Sequence, residues 1–567
     1  MLGLKEIVNG NRKLVFVYTL IGVLLAFLSA YSASYYEILI DHFSNGTVDL
    51  FTIILYAGVL ILLCILNYID EYPAQKLSNN LYLDIKLLAL KKVSRIDYVE
   101  YQKIGTGELI QRIENGANAG KEMVFGFYLR IIRELLPAIF FSIFFIFSIN
   151  PQIAAVILAG YVVVFFVTHL LLKVLYNIKE KVLLNEEKLN HILVRGFMEM
   201  PVFRVNRKFR EEISCAEKSK REIVSSKTKM QLIHEAFFAI FALLITFLKI
   251  AIIVWGYLSE AVSIGEIIAL ITLVDNAYTP IAIFNVIFVQ YKMDKISYKR
   301  YSDFLDRKEE QLLCEGDSVS SLKGDIILRD VSYVYDKAKV VDNISLKLKG
   351  KSKIAFVGES GSGKSTIMKM LMGLIHSNEG KIEISDYDIS KVNLESFYKR
   401  IGYVSQESPI FDGSLRENLV FNRMVSDDEI CSVLSLVGLD EMLSTMPDKL
   451  ETQLGERGIN LSGGERQRLA IARVLLSDVD VIMLDEATSA IDNINEKLVM
   501  GQVMKYAVKK TLICVVHRLN YINEFEHIVV FQNGKVVAQG EFAFLLENCE
   551  YFKRLYDAQI AQKDKMK

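Results

Sequence analysis

The chain has 567 residues, 52% of them apolar, and 66 basic side chains against 67 acidic ones for a formal net charge of −1. That length predicts more than one domain, and the balanced charge gives no footing for a nucleic-acid partner. Six scattered cysteines (Cys64, Cys215, Cys314, Cys431, Cys514, Cys549) form no C-x-x-C, which argues against a disulfide framework or a cysteine metal site.

The apolar excess lies before about residue 290. Residues 1–13 carry Lys5, Arg12 and Lys13 and leave no room for a peptidase or regulatory domain ahead of the first apolar run. That run, 14–40, starts like a signal peptide, with Ser29-Ala30-Tyr31-Ser32-Ala33 as a small-residue site. It continues apolar for a full bilayer span, however, and further runs follow at 50–69, 128–149, 152–173, 236–258 and 263–290. Each has about the 20 residues that a helix needs to cross hydrocarbon. Six membrane spans are therefore expected within a domain covering 1–305.

Connections between the runs alternate in kind. Residues 41–49, 150–151 and 259–262 are short and lack Lys and Arg, whereas 70–127 and 174–235 are long and rich in both. Positive residues stay inside. The N-terminus, both long loops and the C-terminal half are thus expected in the cytoplasm of a multi-pass cell-membrane protein. The long loops show helical periodicity, as in Leu81-Tyr82-Leu83-Asp84-Ile85. Each reads as a helix running on from the membrane, a reversal, and a helix running back. The reversals, near Arg95–Tyr101 and Gly196–Arg204, are placed to touch a cytosolic domain.

Residues 306–324 are polar and read as a linker to a second domain, 325–567. There Ile326–Leu328, Val331–Tyr335, Ile344–Leu348, Ile401–Ser405, Val481–Leu484, Thr511–Val516 and Ile528–Phe531 read as strands. Alternating with helical stretches, they predict an α/β domain built on a mainly parallel sheet. The apolar strand Lys353–Val357 runs into Gly358-Glu359-Ser360-Gly361-Ser362-Gly363-Lys364-Ser365-Thr366, a nucleoside-triphosphate P-loop. Its glycines let backbone N–H groups wrap phosphate oxygens, and a helix opening near Gly363 aims its positive end at them. Lys364 adds a charge for the β/γ-phosphates, and the Ser365 hydroxyl suits Mg²⁺. Downstream, Val481-Ile482-Met483-Leu484-Asp485-Glu486 delivers two carboxylates to a strand end. Asp485 is placed for Mg²⁺ and Glu486 to polarise an attacking water.

Between these motifs stands Leu461-Ser462-Gly463-Gly464-Glu465. With it the chain resembles the ATP-binding cassette (ABC) transporters, whose signature this is. The resemblance covers 325–560 at motif level and implies further roles. Tyr335 matches the residue that stacks on adenine. Gln406 matches the Q-loop glutamine, which links Mg²⁺ and water to the membrane domain. Ser489-Ala490-Ile491-Asp492 matches the D-loop, with Ile where Leu is usual. His517 matches the switch histidine that contacts the γ-phosphate. Gln453–Gly458 looks like the extra loop of ABC exporters, and membrane-before-ATPase order points to an exporter-type half-transporter.

The family resemblance implies a dimer. Two ATPase domains pair head to tail, so that Ser462, Gly463 and Gly464 of one chain complete the ATP site of the other. Every catalytic motif is intact, which allows a homodimer, and a heterodimer with a sister half-transporter stays open. Export of an amphipathic small molecule or peptide is the expected function. An importer on the same fold and an ATP-gated channel or sensor remain alternatives. Two charges lie within predicted spans, Lys249 and Asp275. They are expected either to pair with each other or to face a substrate cavity, since a charge facing lipid is costly.

Overall fold

A computed structural model describes residues 2–198, 200–258, 262–335, 338–421, 423–455, 458 and 461–564, with side chains at 161–177, 281, 282 and 285, among others, left out. Two compact units result: Met1–Ser94 with Ile104–Arg307, and Arg95–Lys103 with Lys308–Lys567.

The first unit is helical. Its helices are α1 (Leu2–Gly10), α2 (Arg12–Ser44), α3 (Leu50–Val93), α5 (Thr106–Lys121), α6 (Leu136–Ile149), α7 (Pro151–Met198), α8 (Met200–Val205), α9 (Phe209–Leu258) and α10 (Ile264–Leu305), with α4 (Tyr98–Gln102) in the second unit. Capping fixes several starts. The Asp49 carboxylate accepts from the Thr52 amide at 2.8 Å, opening α3. A Ser263–Glu266 capping box opens α10. Five of the six apolar runs fall on α2, α3, α7, α9 and α10, and the run 128–149 ends on α6 after a π-helical start. Among the described residues, four stretches are long and apolar enough to cross a membrane: Arg12–Ser44, Leu50–Val93, Gly107–Ile149 and Phe209–Leu258. The expected spans 152–173 and 263–290 fall partly on residues whose side chains lie outside the description.

Exposure follows the bilayer rule, not the aqueous one. Phe51, Ile54, Phe140, Phe144, Phe147 and Phe247 are exposed large apolar side chains, as suits lipid. Inside, Leu270, Leu273, Val274 and Tyr278 of α10 pack on Phe237, Phe241, Ile153, Ile157 and Ile146. Tyr278 donates to the Ile157 carbonyl at 2.9 Å, satisfying its buried hydroxyl. Between α5 and α6 the chain is wound as π-helix at Glu122–Leu129 and Ile131–Leu135, a feature common near functional sites.

The second unit holds two sheets. One is antiparallel, in the order β2 (Ala338–Leu348), β1 (Ile326–Tyr335), β4 (Glu379–Ile384), β5 (Tyr387–Asp388). The other runs β10 (Lys535–Gly540), β9 (His527–Gln532), β3 (Lys353–Val357), β8 (Thr511–Val515), β7 (Val481–Asp485), β6 (Ile401–Val404), parallel except at β10. The two expected runs at 326–335 are therefore one strand, irregular where Asp330 takes φ +50°. Helix α11 (Lys364–Leu371) leaves β3 through the P-loop. A parallel sheet buried on both faces puts its loops at the strands' carboxyl ends, where ligands bind.

Candidate nucleotide site

Three glycines of the P-loop sit at positive φ: Gly358 at +154°, Gly361 at +81° and Gly363 at +98°. A Cβ on Gly358 would run into the Phe531 carbonyl, so space as well as conformation demands glycine there. The Lys364 ammonium folds back on the loop, donating to the carbonyls of Gly358 and Glu359 at 2.8 Å each. Burial lowers its pKa, against the opposing pull of Glu486, Asp485 and Glu359. Glu359, Ser360 and Thr366 complete the loop and the first turn of α11.

Strand β7 brings the two carboxylates to the same place. Ser365 donates its hydroxyl to Asp485 at 3.0 Å. Asp485 is buried, and that burial raises its pKa, with Glu486 adding to the rise and the Ser365 hydrogen bond opposing it. Glu486 turns left-handed at φ +53°, a costly conformation of the kind kept at functional sites. Each of its oxygens has a neighbour, though among the described residues only Oε2 receives a hydrogen bond. Gln406 donates to Oε2 at 2.7 Å, and His517 Nε2 lies 2.5 Å from Oε1.

One stability prediction follows. A carboxyl with a raised folded pKa keeps its proton to higher pH than the unfolded chain does. Stability is therefore lost as pH rises from the ordinary aspartate range through the raised value. Asp485→Asn should raise the Tm of the nucleotide-free protein at neutral pH and flatten this pH dependence, while ATP hydrolysis falls. A thermal melt at several pH values checks it.

Ser462 caps the helix Gly463–Leu475 through a capping box with Glu465. Gly463 and Gly464 lie against the D-loop, where a Cβ on Gly464 would approach the Ala490 carbonyl to 3.1 Å. Gln467, buried on the same helix, donates to the Ser489 hydroxyl at 2.9 Å and accepts from the Ala490 amide at 2.8 Å. Arg473, one turn from the helix end, donates to the carbonyls of Asn418 and Pro409 at 2.5 and 2.7 Å. Tyr335, at the end of β1, is 44% exposed and so open to stacking. Of the expected exporter loop, Glu456 and Arg457 lie outside the described residues.

Sequence reasoning missed a clamp behind His517. On the last helix, Glu550–Asp564, Gln559 donates to the His517 carbonyl at 2.6 Å and accepts from the Leu519 amide at 2.8 Å. No local pattern marks a glutamine 42 residues away as a partner. Beside it, Arg518 reaches the Ile491 carbonyl at 2.9 Å, tying the histidine loop to the D-loop.

The reversal at Arg95–Lys103 belongs to this unit. Tyr98 and Val99 pack on its core, and the Asp97 amide donates to the Lys308 carbonyl at 3.0 Å. The reversal near Gly196–Arg204 falls in the membrane unit and includes Glu199, outside the described residues. Within the membrane unit, Lys249 donates to Asp275 at 2.6 Å.

Comparison with known proteins supplies the context. A family model described as ABC transporter matches residues 341–489, and one described as ABC transporter transmembrane region matches 15–277. The ABC transporter ATP-binding protein YwjA of Bacillus subtilis is 34% identical over 311 residues, and the matched stretch spans about half of each chain, 54% of both. RC1073 of Rickettsia conorii, which carries an export ATP-binding/permease description, is 26% identical over 92% of this chain and 91% of its own. The ATP-dependent lipid A-core flippase 2 of Colwellia psychrerythraea is 35% identical over 48% of this chain and 47% of its own. A solved bacterial Atm1-family ABC exporter with ATP bound shares the fold, with a TM-score of 0.83 at 20% identity over 97% of this chain and 98% of that one.

Proposed function

This chain belongs to the ABC transporter family, as an exporter-type chain that couples ATP hydrolysis to transport, and from that premise we propose that two copies pair head to tail to form two working ATP sites. The observation that carries this reading is Glu486, hydrogen-bonded by Gln406 and set 2.5 Å from His517 Nε2, beside the Ser365–Asp485 pair. Nothing in that set is substituted by a residue unable to do the chemistry.

The roles follow from position. Backbone N–H groups of 358–366 hold phosphate oxygens, and Lys364 turns from its own carbonyls to the phosphates. Tyr335 stacks on adenine. Ser365 and Asp485 are hard oxygen donors 3.0 Å apart, which suits Mg²⁺; bound there, the ion would offset phosphate charge. Glu486 takes a proton from the attacking water, and His517 donates toward the γ-phosphate. Ser462, Gly463 and Gly464 of the second copy close the site from the other side, with their helix dipole behind them.

Gln406, held by Glu486 here, is free to report nucleotide state to the segment Arg95–Lys103 packed on the same unit. Closure and release of the ATP sites then switch the membrane unit between two openings. The N-terminus and the ATPase unit lie in the cytoplasm, a reading that the Lys- and Arg-rich long loops support. The cargo is an amphipathic small molecule or peptide. Lys249 and Asp275 serve as an internal ion pair of the membrane unit. The test is ATP hydrolysis by this chain purified alone into lipid nanodiscs. Hydrolysis abolished by Glu486→Gln supports the homodimer. Hydrolysis no higher than in that variant would favour a heterodimer with a sister half-transporter.

A further inference from the structure

Helices α2, α3, α6 and α10, with the π-helical turn at Ile131–Leu135, line a half-open cavity of about 270 Å³ in the membrane unit. Its helices are apolar, yet Asn67, Asp70, Arg133, Glu134, Ser142 and Asn276 line it. Arg133 is already paired. Arg133 donates to Asp70 Oδ2 at 2.5 Å and lays its guanidinium 3.6 Å from the Tyr18 ring centre. The space for it is kept by Gly22, where a Cβ would strike the guanidinium.

The acceptors are not spent. Asp70 Oδ1 is buried and receives no hydrogen bond among the described residues. The Ser142 hydroxyl makes none either, although Ser142 is only 1% exposed. Glu134, on the rim, pairs with Arg130 at 3.1 Å. A buried carboxylate oxygen and a buried hydroxyl left open are expensive, and native structures rarely keep them without a purpose. Asp70 is balanced by Arg133 and Glu134 by Arg130, so what the space offers a guest is open acceptors, and it favours a hydrogen-bond donor.

We propose that this cavity is a headgroup subsite for the transported solute and that it takes an organic ammonium. The N–H donors of such a group satisfy Asp70 Oδ1 and Ser142 together, and its charge strengthens the hydrogen bond to the carboxylate oxygen. The volume equals about nine waters at ~30 Å³ each, enough for a headgroup and too little for a whole amphipathic molecule. The apolar remainder of the cargo lies against the helices outside. This rests on the transporter reading and narrows its substrate class.

The test uses the full chain in phosphatidylcholine nanodiscs with three probes of one chain length: octylamine, 1-octanol and octanoate. Binding is read as the probe concentration giving half the maximal rise in Tm, so it does not depend on turnover. Octylamine, cationic at neutral pH, should act at roughly tenfold lower concentration than octanol, the scale of one charge-assisted hydrogen bond. Octanoate should be weakest. Ser142→Ala should shrink the amine preference severalfold without lowering the probe-free Tm, because it deletes an unpaired buried hydroxyl. Equal potency of octylamine and octanol would overturn the proposal, as would a Ser142→Ala protein that keeps the full preference. The probe comparison on the unmodified chain decides the matter even if the variant fails to fold. Absence of Glu486-dependent hydrolysis by this chain alone would count against the homodimer and leave the binding comparison standing; loss of the amine preference would sink the subsite and leave the ATPase reading standing.

Discussion

Glu486→Gln is expected to lower kcat for ATP hydrolysis by about 10²–10⁴-fold, the usual contribution of a general base, with ATP binding retained. The side-chain shape is kept, and an amide can still accept from Gln406, which donates to Glu486 Oε2 at 2.7 Å. What is lost is the proton acceptor. Because ATP is the bond between the two copies in this account, the variant should accumulate as an ATP-bound closed dimer. Size-exclusion or crosslinking with ATP would show it. A kcat within about tenfold of the parent would mean that another group accepts the proton, and Glu486 would lose its role.

Arg473→Ala is the second large effect, and it acts on folding. Arg473 projects from the signature helix and holds the chain that follows Gln406. Its guanidinium donates to the carbonyls of Pro409 and Asn418 and to Asn418 Oδ1 at 3.0 Å. It also lies 5.6 and 5.1 Å from the Phe411 and Phe421 ring centres. Burial pushes its pKa down to about 10, so it stays charged at neutral pH. Truncation takes two donors from buried Asn418 and one from the Pro409 carbonyl, and removes two cation–π contacts. We expect a loss of about 2–4 kcal/mol. The Tm should fall, and hydrolysis should fall with it, because the signature helix would no longer be fixed to the Gln406 segment. Arg473→Lys keeps the charge but not the planar fork, and should recover only part of the loss. An unchanged Tm would show that this joint is unimportant.

The two residues also show what a sequence makes legible. Glu486 follows four buried apolar residues and Asp485, a local pattern tied to a chemistry. The P-loop is similar: its glycines are forced by φ and space that the motif already implies. Apolar run length likewise marks the long helices. Arg473, Gln467 and Gln559 act through partners far along the chain, and a sequence has no local signal for such pairings. The same limit explains the sheets. β1 reads as two short strands because Asp330 interrupts its apolar pattern, and the antiparallel β4, β5 and β10 carry little apolar alternation of their own. The polar cavity beside Asp70 was hidden for a related reason. Lone polar residues in separate apolar runs, with Asp70 just past the end of one, gain meaning only when helix packing gathers them.

The central claim, two ATP sites each shared between copies, is tested most directly by mixing two inactive variants. One carries Lys364→Ala in the P-loop, and the other carries Gly464→Asp in the signature. In a head-to-tail dimer of one copy of each, one site collects both lesions and the other collects neither. Each variant alone should be inactive, and co-expressed chains should regain hydrolysis, to roughly a quarter of the parent rate for random pairing of equal amounts. A mixture that stays as inactive as its components would contradict the account, because each copy would then be working with its own signature.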